Sequence, residues 1–200
     1  MLPELTGATR IHLIVGDPIA QTKSPAGLTR VFAERGIDAM CVPMQVAAAD
    51  FPAFMAAAKR VRNIDGIVVT VPHKFAALRH CERASDRARV LAAVNAMRRE
   101  RDGDWHGDMT DGVALVAALR ASGREPSGRR ALVVGAGGAG SAVVLALADA
   151  GARVAVHDID AARREELRAR LAPREIAVGS ADPAGFDLVV NATPLGMTAG

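Results

Sequence analysis

Two hundred residues, half of them apolar, suffice to bury the core of one large domain or two small ones. The net charge of +3 and a pI near 9.4 raise the question of nucleic acid. However, the arginines are interleaved with acids, as in "HCERASDRARV" and "RREELRAR", and aromatic residues are 3% of the chain, so neither a phosphate-binding stripe nor a base-stacking surface is expected.

No apolar run reaches the ~20 residues of a bilayer span, and "MLPELTGATR" lacks the basic start and apolar run of a secretory signal. A soluble, cytoplasmic chain without membrane association is expected. Cys41 and Cys81 are too few and too far apart for a disulfide framework or a zinc site, and no metal is expected.

In chain order, "IHLIV", "AMCVPM" and "GIVVTV" are short apolar runs, each followed by a helical pattern, over 25–35, 49–61 and 73–92. This alternation predicts a mostly parallel sheet with crossover helices. In "VNAMRRERDGDWHGD", Asp102-Gly103 between two extended arms predicts a hairpin. A helix over 110–122 and the connector "ASGREPSGRR" follow. A second set then runs through "ALVVG", a helix to about 150, "RVAVHD", a helix to about 171, "EIAV" and "DLVVN". The fold class is α/β: a substrate-binding domain over 1–112 and a Rossmann dinucleotide-binding domain over 113–200, with a cleft between them. The second sheet reads as truncated, because only four of about six strands fit before Gly200.

"VVGAGGAG" sets Gly135, Gly137 and Gly140 in G-x-G-x-x-G spacing between a strand and a helix. Gly135, Gly137, Gly138, Ala139 and Gly140 thus form a candidate cradle for a pyrophosphate at a helix start. Asp158 closes the next strand, where an acid meets the ribose hydroxyls. A 2′-phosphate there would face a like charge, so NAD is expected over NADP. Arg163 and Arg164 read as a solvated helix face rather than a phosphate clamp. Asn191, Thr193 and Met197, in "DLVVNATPLGM", are candidates to line the nicotinamide side at the end of a strand, although Pro194 and Gly196 alone would make a turn there.

A nicotinamide cofactor implies hydride transfer, and an alcohol that loses hydride also loses its hydroxyl proton. Lys23, Lys59 and Lys74 are the only lysines in an arginine-rich chain, and lysine, unlike arginine, can give up its proton. Lys74 follows the strand in "VVTVPHK", and Asp111 opens a helix in "GDMTDG". Together they are the candidate proton-handling pair, beside the plainer readings of a surface lysine and a first-turn acid. His73 and His106 are rival bases. In "TKSPAGL", Ser24-Pro25 has the pattern of an N-cap followed by proline at the first helical position. A helix start bearing the hydroxyls of Thr22 and Ser24 would also receive a substrate carboxylate.

These motifs in this order, "GDPIAQTKSP", "VTVPHK", "AVN", "GDMTDG", "GAGGAG" and "NATPLGM", resemble the shikimate/quinate dehydrogenase family over essentially the whole chain. The resemblance implies that Lys74 and Asp111 are the catalytic dyad, that Thr22 and Ser24 bind the substrate carboxylate, and that Thr70 and Asn95 bind ring hydroxyls. It implies a cyclic carboxylic acid as substrate; the sequence leaves monomer and homodimer both open.

The chain departs from the family pattern with Leu28-Thr29 in place of His-Asn, Val68 in N-V-T, Ala96 in V-N-T and Met109 in N-T-D. The direct ligands stay while polar neighbours are lost, so a related or less hydroxylated acid fits as well as shikimate. A ligand-sensing protein on the same fold is the rival reading. Asp158-Ile159-Asp160 replaces the N-R-T of NADP-using members. The family's C-terminal helix, with its substrate-binding glutamine, has no counterpart in these residues.

Overall fold

The computed structural model describes residues 5–196. The chain divides into two compact units, up to Asp108 and from Met109 onward; the division expected after residue 112 falls in the first turn of a helix that opens at Asp111.

In the first unit, β1 (Arg10–Gly16), β2 (Ala39–Gln45), β3 (Ile64–Val69), β4 (Arg83–Ala84), β5 (Ala96–Arg99) and β6 (Trp105–Asp108) form one sheet of order β2-β1-β3-β5-β6-β4. β1 pairs in parallel with β2 and β3, whereas β5 runs antiparallel to β3 and β6. Leu13, Ile14 and Val15 are consecutive and all buried, as befits a parallel strand covered on both faces. The crossover helices are α1 (Ser24–Glu34) and α2 (Phe51–Arg60), with α2 burying Phe51, Met55 and Ala58. Full burial of side chains such as Phe51 and Met55 stabilises by roughly 1.5–3 kcal/mol each.

The hairpin forms as expected, with Gly103 at φ +90° and Gly103 N donating to Glu100 O at 3.0 Å. The continuous helix expected over 73–92 does not form. The segment is instead α3 (Lys74–Ala77), a 3-10 turn over Leu78–His80, β4, and α4 (Asp86–Leu91). Cys81 is extended, and Ser85 caps α4 by accepting from Ala88 N at 3.3 Å. Pairing of β4 with β6 outcompetes continuation of the local helix.

In the second unit, α5 (Asp111–Ala121) packs on α6 (Gly138–Asp149). β7 (Arg130–Val134), β8 (Arg153–His157), β9 (Ile176–Val178) and β10 (Leu188–Asn191) form a parallel sheet of order β10-β7-β8-β9, and α7 (Ala161–Leu171) connects β8 to β9. This is the strand order of a Rossmann half. Among the described residues no helix is long and apolar enough to cross a membrane.

One arginine ties the hairpin to α2. Arg99 donates to the carbonyls of Ala58, Lys59, Val61, Ile64 and Gly103, and lies 4.4 Å over the Trp105 ring. Three of those carbonyls are at the open C-terminus of α2, which a cation satisfies. Arg99→Ala is expected to cost on the order of 3 kcal/mol in urea unfolding, against about 0.5 kcal/mol or less for the exposed Arg98→Ala.

His12, half-buried with its ring 4.7 Å from Phe32, has its pKa pushed below the ordinary imidazole range by burial, with Asp65 opposing and Arg10 assisting. The unfolded imidazole therefore binds a proton first, and stability should fall as pH drops below about 6.5. Urea midpoints at about pH 7.5 and 5.5 should show this loss, and His12→Leu should reduce it.

Candidate active site

Within the first unit, the candidate residues converge at the C-terminal ends of β1 and β3. Thr70 N donates to Val15 O at 2.9 Å, and Asp17 N donates to Val71 O at 2.9 Å. Gly16 makes this approach possible: a Cβ there would be 2.3 Å from Thr70 Cγ2 and 2.8 Å from Val71 O. Asn95 and Lys74 are laced to the same edge, with Val69 N donating to Asn95 O and Val94 N to Lys74 O, both at 2.8 Å. Asn95 is buried at 7% exposure, while Thr70 and Lys74 are partly exposed. Parallel α/β sheets place ligands at this end of their strands.

Ser24 is not the N-cap that its pattern predicts. The helix starts one residue earlier: Lys23 holds the cap position, with no side-chain cap bond, and Ser24 is the first helical residue. Capping therefore does not occupy the Ser24 hydroxyl. Thr22 Oγ1 does have a commitment, donating to Ile19 O at 2.9 Å, so a bound carboxylate would have to win that hydrogen.

Two family departures acquire scaffold roles that sequence reasoning missed. Leu28 packs against Ile14, Ile19 and Cys41, and Thr29 Oγ1 accepts from Cys41 N at 3.0 Å. Burial pushes the pKa of the Cys41 thiol up to about 11, so it remains protonated and unreactive at neutral pH. The rival bases are also placed. His73 is 2% exposed, with Nε2 2.7 Å from Val46 O. His106 is on β6, cross-paired with Arg98 and with Nδ1 3.8 Å from Glu100.

In the second unit, Gly137 is the N-cap of α6 and has no side chain to fill the helix start. Gly135 takes φ +107°, and a Cβ on Gly140 would be 1.9 Å from Gly135 O. Gly140 therefore lets the helix pack directly on the turn, leaving Gly135, Gly137, Gly138 and Ala139 as a cradle of backbone that fits a pyrophosphate. Asp158, 8% exposed, holds this cradle: Oδ2 accepts from Ala136 N at 2.7 Å and Oδ1 from Asp160 N at 2.9 Å. Burial pushes its pKa up, but these two N–H donors outweigh that and leave it below the ordinary carboxylate value.

Asn191 and Thr193 bond to each other. Asn191 Oδ1 accepts from Thr193 N at 3.0 Å and from Thr193 Oγ1 at 2.6 Å, while Asn191 Nδ2 donates to Leu195 O at 3.2 Å. Their polar atoms thus shape the loop, which abuts the cradle through Ala192, whose carbonyl carbon and oxygen would be 2.9 Å from a Cβ on Gly135. Met197 lies outside the described residues. Asp111 is the first residue of α5, after Thr110 at the cap position. Among the described residues, no group of three or more His, Cys, Asp or Glu is placed to hold a metal.

Comparison with known proteins agrees with this division. The family model of the shikimate dehydrogenase substrate binding domain matches residues 14–97, and an NAD(P)-binding family model matches residues 124–195. The shikimate dehydrogenase (NADP(+)) of Geobacter metallireducens is 37% identical over 207 residues, covering 97% of this chain and 72% of its own length. Shikimate 5-dehydrogenase from Thermus thermophilus, solved with NADP(H) and shikimate, aligns with a TM-score of 0.83 at 30% identity, covering 93% of this chain and 69% of its own. The 5-ketofructose reductase of a Gluconobacter strain aligns with a TM-score of 0.78 at 28% identity, covering 94% of this chain and 70% of its own. With matches running through both units, this chain belongs to the shikimate dehydrogenase family of oxidoreductases.

Proposed function

We propose that the protein interconverts a secondary alcohol and a ketone on a shikimate- or quinate-like cyclic carboxylic acid, using a nicotinamide dinucleotide. The observation that carries this reading is the convergence of Thr70, Lys74 and Asn95 at one sheet edge, laced by the Val69–Asn95 and Val94–Lys74 backbone bonds, in a chain whose relatives are named shikimate dehydrogenase. Thr22 and Ser24 receive the carboxylate, and Thr70 and Asn95 orient the ring hydroxyls. Lys74 and Asp111 are the proton-handling pair: the ammonium donates to the carbonyl oxygen on reduction and the amine takes the hydroxyl proton on oxidation. When bound, the nicotinamide supplies hydride transfer. Gly135, Gly137, Gly138 and Ala139 hold the pyrophosphate, and Asn191 and Thr193 form the neighbouring loop wall.

The relatives are named for NADP(+), but this chain's residues favour NAD. Asp160 closes the N-terminus of α7 with its own carboxylate, accepting from Ala162 N at 2.9 Å and Arg163 N at 3.3 Å. With Asp158 beside it, a 2′-phosphate would meet two like charges at a helix start already filled by an anion. Arg163 is 3.3 Å from Asp160; Arg164, expected on a solvated face, is instead committed to the Asp158 carbonyl oxygen; and Ile159, 97% exposed, offers no charge where NADP-using members have arginine. The energetic difference is on the order of 1–2 kcal/mol, about tenfold in affinity.

The full-length protein should oxidise shikimate, quinate or an analogue with NAD, and Lys74→Ala should lower kcat by about 10²–10⁴-fold. The neighbour named for 5-ketofructose supports including polyhydroxy ketones in the panel. A thermal shift on ligand addition with no turnover in any combination would instead leave a binding protein on the same fold.

For the coenzyme, kcat/KM with NAD should exceed that with NADP by about tenfold or more. The combined Asp158→Asn, Ile159→Arg and Asp160→Thr replacement should reverse the order. An NADP preference in the unaltered chain would refute this assignment.

A further inference from the structure

His73 is the residue next to Lys74, and the proton-handling reading gives it no task. Its ring is stacked on Phe51, with centroids 4.3 Å apart and planes 5° from parallel, and His80 meets the Phe51 ring in an edge contact at 5.6 Å. Phe51 is fully buried at the start of α2. His73 Nε2 lies 2.7 Å from Val46 O; a carbonyl only accepts, so Nε2 carries the hydrogen and donates it. Val46 N in turn donates to Gly16 O at 3.2 Å.

The main chain of His73 shapes the turn as well. His73 N donates to Thr70 O at 2.9 Å, and His73 O accepts from Ala77 N at 2.8 Å. One residue therefore ends the turn leaving β3, opens α3, and joins both to the segment after β2 and to the first residue of α2. From the opposite side, the Val94–Lys74 bond holds the same turn.

We infer that His73 is a positioning residue for Lys74, acting through the turn of residues 70–74 and resting on the reading of Lys74 as the proton-handling amine. The position needs a flat ring to lie on Phe51 and an N–H to reach Val46, and imidazole supplies both in one side chain. Phenylalanine keeps the ring and loses the donor, leaving the buried Val46 carbonyl without that hydrogen; glutamine keeps a donor and loses the stack.

The chain's three lysines make a direct test possible. Lys23 holds the cap position of α1, and Lys59 pairs with Glu82 and, at 3.5 Å, with Asp104, so both serve as internal references. The full chain is reductively methylated with ¹³C-formaldehyde, and the dimethyl-lysine resonances are recorded for the unaltered protein, His73→Phe and His73→Gln, with thermal unfolding measured alongside.

The Lys74 resonance should move in both variants, further in His73→Phe, while those of Lys23 and Lys59 stay in place. In turnover, kcat should fall on the order of tenfold or more with KM nearly unchanged, the mark of a displaced reacting group rather than lost binding. A Lys74 resonance at its original position in whichever variants fold, even with a lowered Tm, would overturn the inference and leave His73 a packing residue. If the unaltered protein shows no turnover, the dehydrogenase reading fails by itself, while the resonance comparison still decides whether His73 governs Lys74.

Discussion

The close approach of β1 and β3 at their C-terminal ends governs the first unit. A residue with any side chain at position 16 would collide with the Thr70 methyl and the Val71 carbonyl, so the absence of a Cβ at Gly16 sets where the turn carrying Thr70 and Lys74 can lie. Around that contact the backbone satisfies itself: Val15, Gly16 and Val71 each accept an N–H from a neighbouring segment. Buried backbone groups must be paired, and here they pair main chain to main chain, which fixes the backbone from which Thr70, Lys74 and Asn95 extend. A sheet edge of this kind presents polar groups on a support whose own hydrogen-bonding needs are already met.

The features legible in the sequence were those whose cause is local. Glycine spacing showed the turn into α6 because Gly135 needs positive φ and Gly140 needs contact with its own loop, both consequences of missing side chains. Asp102-Gly103 showed the hairpin for the same kind of reason. Lys74 stood out by composition, an amine in a chain that otherwise uses guanidinium. Features set by distant partners were hidden. The break after α3 depends on β4 pairing with β6, while the stretch 73–92 taken alone has a helical pattern. His73 reads as a candidate base because its sequence neighbours do not include Val46, 27 residues away. The one-residue offset at Ser24 is of a third kind: a Ser-Pro pair satisfies the cap rule and the first-turn rule equally well, and backbone geometry at Lys23 decides between them.

Asp158 shows why a residue's motif role and its structural role have to be separated. Its carboxylate fastens Ala136 of the glycine turn to the end of β8, so the acid shapes the cradle before any ribose arrives. Two N–H donors leave further lone pairs on its oxygens, so both bonds can persist while the carboxylate accepts again. A carboxylate held below its ordinary pKa by backbone donors also stays ionised through the neutral range, so its charge is present whenever the loop is folded. Loop order and the local negative charge therefore rest on one group.

The departures at positions 28 and 29 follow a similar logic in the first unit. Leu28 adds apolar area to the cluster of Ile14, Ile19 and Cys41, and Thr29 satisfies the Cys41 N–H, so both residues of this pair face inward and support β1 and β2. A histidine and an asparagine at the same helical positions would bring polar atoms that need partners, whether from the chain or from a ligand. With leucine and threonine the contacts close within the chain: Leu28 adds apolar area and the Thr29 oxygen is met by the Cys41 N–H. Ser24 opens that helix and Thr22 lies two residues before it, so the two hydroxyls sit at the end of an element docked on β2 and β1.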